Sequence, residues 1–167
     1  MKPALLVIDI QKEFFNDDVG TIQSLKNAVA YINAAIALFR EKSLPVISIQ
    51  HIDEAEGLTP GNIGFDLPDD LNILPGDLHI HKKYSNAFIK TSLAENLRNL
   101  GADPIILSGY CAEYCVLSTY RGAMDLDLNP ILLRDALASG SEENIRFVER
   151  ISDVISLGAL KSFIDLD

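Results

Sequence analysis

The chain has no tryptophan, two cysteines and three histidines, and its 14 Lys and Arg face 24 Asp and Glu. Two cysteines cannot build a disulfide framework, and two thiols with distant histidines at 51, 79 and 81 fall short of a four-ligand zinc site. The net charge of −10 excludes a nucleic-acid or anionic-membrane surface, which needs clustered Lys and Arg. The adjacent pair Lys82-Lys83 is far too small for that. No apolar run approaches the roughly 18–20 residues that span a bilayer. The opening MKPALLVIDIQKEFF meets an acid at Asp9 without a cleavage site, so it does not read as a signal peptide. No Pro-rich, Ser-rich or like-charge stretch serves as a linker. One soluble cytoplasmic domain over 1–167 is expected.

What is present is an alternation of strands and helices. ALLVIDI at 4–10 is an unbroken apolar run, the pattern of a strand buried on both faces of a parallel sheet. From Leu25 to Phe39 apolar residues recur at helical spacing, in a helix expected to end near Ser43. Strands are expected at 45–51, 78–81, 104–109, 129–136 and, in SLGALKS, 156–162. Helices are expected at 88–100 (closed by Gly101), 113–126 and 141–154. The stretch 53–77, rich in Gly and Pro, reads as a long functional loop. This order predicts an α/β fold, a three-layer (αβα), doubly wound, mostly parallel six-stranded sheet of Rossmann-like form.

Ligands of such sheets bind beyond the carboxyl ends of the strands. That singles out Asp9, the stretch from Gln50 to Asp53, Lys82, the turn from Tyr110 to Cys115, and Asp135. Cys115 is expected in the first turn of a helix, where free N–H groups and the helix dipole lower a thiol's pKa. Cys111 lies in the preceding turn without that advantage. Asp9 is placed to accept the thiol proton, and a Lys82 ammonium between the two holds both groups ionised. His79 and His81 alternate with Ile80 and read as rim residues.

LLVIDIQKEFF and KKYSNAFIKTSLAENLRNLGADPIILSGYCAEYCVLSTYRGAMD resemble the D-x-Q-x-x-F, K-x-x-x-S-A-F-x-x-T-x-L and G-x-x-x-(D/E)-x-C-V-x-x-T motifs of the isochorismatase-like cysteine hydrolases. RDA at 134–136 is similar to a late strand-end motif of that family. The resemblance implies a catalytic triad of Asp9, Lys82 and Cys115, with Lys83 adjoining the lysine and Asn86 in place of the usual serine. It also implies a cis Tyr110-Cys111 bond that aims backbone N–H groups at an oxyanion. Phe14, Gln11, Gln50 and Tyr110 are the candidates for substrate binding. A metal-ligating Asp-x-His pair such as nicotinamidases carry is not seen in SIQHIDEAEGLTPG, so no metal and no cofactor are expected. The implied activity is cysteine-dependent cleavage of a small amide, imide or carbamoyl C–N bond through a thioester. The alternatives are isochorismatase-type or nicotinamidase activity, or a non-hydrolytic ligand-binding or thiol-redox protein on the same fold. A small-molecule substrate and a homo-oligomer are expected, the latter through the apolar stretch CVLSTYRGAMDL.

Overall fold

The structure, a computed structural model, describes residues 2–165. Its strands are β1 (Ala4–Ile8), β2 (Val46–His51), β3 (Leu78–Lys82), β4 (Ile105–Tyr110), β5 (Pro130–Ala138) and β6 (Val154–Ile155). Its α-helices are α1 (Val19–Glu41), α2 (Leu93–Leu100), α3 (Leu117–Met124), α4 (Glu142–Arg150) and α5 (Leu157–Asp165). The six strands are all parallel, in the order β3-β2-β1-β4-β5-β6. Strand order reverses between β1 and β4, and the carboxyl ends there form the crevice where a ligand is expected. Among the described residues no helix is long and apolar enough to cross a membrane.

β1 is fully buried because the sheet is covered on both faces. Leu6 and Ile8 pack with Leu93 and Leu97 of α2, Tyr120 and Ala123 of α3, and Val148 of α4. Leu5 and Val7 pack on the other face with the apolar stripe of α1 and with Leu160 and Ile164 of α5. This is the three-layer arrangement expected from the alternation of elements, and its continuous apolar strand follows from double coverage.

Several boundaries differ from the expectation. α1 begins six residues before Leu25, because Asp18 caps it by accepting from the Gly20 and Thr21 N–H groups. α2 begins at Leu93 rather than Phe88. Before it, side chains take up the backbone: Asn86 Oδ1 accepts from Phe88 N, and Thr119 Oγ1 accepts from Ala87 N. Gly101 closes α2 in the left-handed region at φ 61°, as expected. SLGALKS is not a strand but most of α5, and the sixth strand is the two-residue Val154–Ile155, which begins at the last residue of the predicted last helix. β5 carries a break in register, with Leu107 opposite Leu132 and Gly109 opposite Leu137. The Arg134-Asp135 pair is exposed in that irregular segment, with Asp135 at φ 67°.

The long loop 53–77 contains one short 3-10 turn, Ile63–Phe65, and is pinned at several points. Asn33 donates to Asp70 O and accepts from Asn72 N, while Arg40 binds Asn72 O and the Asp77 carboxylate at 2.7 Å each. Gln11 and Gln50 both donate to Phe65 O, at 3.2 and 2.9 Å.

Candidate active site

Three strand ends and one turn meet at the reversal point. Asp9 follows β1 in the left-handed region, φ 51°, held by its N–H to Ile49 O at 2.8 Å. A non-glycine residue in that region is strained, and such strain persists where surrounding structure enforces it. At the end of β4, Gly109 has φ 122°, and a Cβ there would lie 2.0 Å from Ile8 O. Only glycine lets β4 pass that close to β1, and the turn after β4 is thereby carried beside Asp9. The Tyr110-Cys111 peptide bond is cis.

Cys115 lies within a single π-helical turn, Ala112–Val116, and not in the first turn of α3, which starts at Leu117. Lys82, the last residue of β3, is 2% exposed and aims its ammonium inward. Its Nζ donates to Asp9 Oδ2 at 2.7 Å and to Cys115 Sγ at 3.2 Å. The three residues singled out by their strand-end positions are therefore in mutual contact through the lysine. Lys83 points the other way, to the exposed Glu54 carboxylate, so the spatial choice between the two lysines falls on Lys82.

Electrostatics depart from the expectation of a lowered thiol pKa. Burial pushes the Cys115 thiol up to about 12, and the Asp9 charge adds to this more than Lys82 offsets it. Burial likewise raises Asp9 above the ordinary carboxylate value, against the pull of Lys82. At rest the sulfur is thus a thiol. Asp9 Oδ1 is buried and has no hydrogen-bond partner, so it is a free acceptor in a cluster whose ligand atoms lie within 4.8 Å of one another.

Cys111 has a different fate. Its thiol donates to Glu113 at 3.0 Å and is pushed up to about 12 by burial and then by that bond. Glu113 also accepts from Ser139 Oγ at 3.0 Å and Asn144 Nδ2 at 2.7 Å, which ties the π turn to the end of β5 and to α4.

The candidates for substrate binding are placed unevenly. Gln11 is fully buried, and its amide is taken up by the backbone: Nε2 donates to His51 O and Phe65 O, and Oε1 accepts from His51 N at 2.7 Å. Gln50 is likewise buried, with Nε2 on Phe65 O. Both amides tether the loop wall to the strand ends. Phe14 and Tyr110 stack on each other with ring centroids 4.8 Å apart. They pack with the α1-side core, whereas Cys115 packs with the α2–α3 side. Asp135 does not join the cluster but lines a separate cleft of about 800 Å³ between α1 and α4.

His51 lies within the strand-end stretch from Gln50 to Asp53 that the sequence singled out, though without a role, and it belongs to the site. Its Nδ1 lies 3.1 Å from Lys82 Nζ. The only cue was its place at the carboxyl end of β2. Asp9, His51 and Cys115 together offer the donor types that bind transition metals. Lys82 Nζ, however, is hydrogen-bonded to all three, so a buried ammonium already neutralises the cluster and a divalent ion does not fit beside it.

Comparison with known proteins gives the family of the chain and agrees with its fold. The isochorismatase domain model matches residues 3–150. The uncharacterized isochorismatase family protein YrdC of Bacillus subtilis is 31% identical over 83% of this chain and 74% of its own. The ureidoacrylate amidohydrolase RutB of Pseudomonas syringae is 27% identical over 86% of this chain and 74% of its own. The crystal structure of N-carbamoylsarcosine amidase from Thermoplasma acidophilum superposes with a TM-score of 0.81 at 27% identity, covering 94% of this chain and 97% of that one. The chain belongs to the isochorismatase family, and it is a hydrolase of that family.

Proposed function

We propose that this hydrolase cleaves the C–N bond of a small amide, imide or carbamoyl compound through a thioester on Cys115, with Asp9 and Lys82 as its partners. The observation that carries the reading is the Lys82 ammonium bonded at once to Asp9 and to the Cys115 sulfur. Two relatives named above, an amidohydrolase and a carbamoyl amidase, support the substrate class.

The chemistry follows from the charges. The resting thiol gives its proton to Asp9 as the sulfur attacks the substrate carbonyl, and Lys82 stabilises both the sulfur and the carboxyl group. A raised pKa suits Asp9 to this work, since an acid–base catalyst acts best with its pKa near the operating pH. Collapse of the tetrahedral intermediate breaks the C–N bond, and Asp9 delivers its proton to the departing nitrogen. Water, deprotonated by Asp9, then attacks the thioester, releasing the acid and returning the thiol.

Screening small amides, imides and ureido compounds for ammonia or amine release tests this reading. At least one compound is expected to turn over, with loss of turnover in Cys115→Ser. Turnover that survives this substitution contradicts it.

Self-association is proposed as well, on narrower grounds. Part of CVLSTYRGAMDL is taken up by the chain's own core, since Val116, Thr119, Tyr120, Gly122 and Ala123 are buried. Met124 and Leu126 of this stretch, and Tyr114 just before it, are exposed as apolar contacts. Light scattering is expected to give a dimer or larger species, and a monomer at micromolar concentration contradicts it.

A further inference from the structure

An ammonium has three N–H bonds and no lone pair. Lys82 has three acceptors, Asp9 Oδ2 at 2.7 Å, His51 Nδ1 at 3.1 Å and Cys115 Sγ at 3.2 Å. The set is complete only with His51. Because the ammonium can only donate, Nδ1 must present its lone pair, and the proton of the neutral ring therefore sits on Nε2. Burial holds the imidazole below its usual pKa, and Lys82 acts in the same direction against Asp9 and Asp53, which favours the neutral ring.

The backbone fixes this acceptor firmly. His51 and Lys82 are register partners at the ends of β2 and β3. The Gln11 amide grips the peptide groups of His51 on both sides, accepting from its N–H at 2.7 Å and donating to its carbonyl at 3.0 Å. A chain of contacts thus runs from the end of β1 through Gln11 to His51, and from His51 to the ammonium that faces the sulfur.

We infer that His51 is a positioning residue whose Nδ1 locks the orientation of the Lys82 ammonium between Asp9 and Cys115; this rests on the reading of Cys115 as nucleophile. A lysine head is a compact charge on a flexible stem. With only two acceptors, one buried N–H would be left without a partner, and the head would turn to satisfy it. Sulfur is the weakest acceptor of the three, so its contact is the first lost. The consequence is a slower approach of Cys115 to the thiolate, with Asp9 still paired to the lysine.

The test compares His51→Leu, which removes the acceptor, with His51→Asn, whose Oδ1 stands as many bonds from Cα as Nδ1 does. The rate of Cys115 alkylation by iodoacetamide is followed by peptide mass at several pH values, with thermal melts as the folding control. His51→Leu is expected to slow alkylation about tenfold to a hundredfold, the scale of a lost hydrogen bond to a charged group, and His51→Asn to restore it to within about threefold. A His51→Leu protein that alkylates like the wild type overturns the inference. So does a His51→Asn protein that melts like the wild type but is as slow as His51→Leu. Nitrogen NMR of the wild-type imidazole gives a reading independent of substitution: the Nε2–H tautomer at neutral pH is expected, and an Nδ1–H tautomer or an imidazolium overturns the inference. If wild-type Cys115 labels no faster than Cys111, the nucleophile assignment falls, and this inference falls with it.

Discussion

Cys111 and Cys115 are four residues apart and both are pushed up to about 12, yet their neighbours give them opposite prospects. Cys111 donates to a carboxylate already engaged with Ser139 and Asn144, so its proton has a structural task. Cys115 faces a carboxylate with a free buried oxygen and an ammonium ready to stabilise the sulfur anion. If Asp9 is the base, Cys115 alkylation will level off once Asp9 is ionised instead of climbing tenfold per pH unit toward 12. The sign follows from the raised carboxyl pKa: reactivity is present above it and lost as pH falls through it, so the acid limb should lie above the ordinary value of 3.8. Asp9→Ala is expected to lower kcat/KM by about 10²–10⁴, the range for general acid–base catalysis, measured by steady-state kinetics. Lys83→Ala should leave kcat/KM within about twofold, since an exposed ion pair contributes little. That Asp9, Lys82 and Cys115 would be neighbours was legible in sequence because residues at the ends of parallel strands converge. The role of His51 was not, because a histidine at a strand end fits packing, rim or site equally well until its ring has a partner.

The elements that position these residues were legible where both faces of the sheet demand apolar side chains, as in ALLVI and the stripe of α1. They were not legible where a few apolar residues fit two periods. SLGALKS satisfies the alternation of a strand as well as the one-sided stripe of α5, and only packing against α1 decides. The start of α2 was hidden for another reason, since side chains of Asn86 and Thr119 compete for the backbone ahead of it. Gly109 is the hinge of the site at this scale. Gly109→Ala forces a Cβ against the Ile8 backbone at a φ that L residues avoid. It is expected to destabilise the fold by about 3 kcal/mol or more, measured by urea unfolding, with loss of Cys115 reactivity. Gln11→Ala removes three hydrogen bonds that join β1 to β2 and the loop, and should lower stability by about 2–3 kcal/mol.

Across the whole molecule, the strand order β3-β2-β1-β4-β5-β6 explains why residues 9, 51, 82 and 115 meet. Neighbouring parallel strands end at one level, so their next residues form a row, and the turn after β4 folds the sulfur back over it. The family relation and the fold then supply a hydrolase, while the row supplies its proposed chemistry. The central claim is that Asp9 and Lys82 make Cys115 the reactive one of the two thiols. Mapping iodoacetamide adducts by peptide mass at neutral pH, in the wild type and in Asp9→Ala, tests it most directly. The prediction is rapid labelling confined to Cys115 in the wild type and its loss in Asp9→Ala; equal, slow labelling of Cys111 and Cys115, unchanged by the substitution, would contradict it.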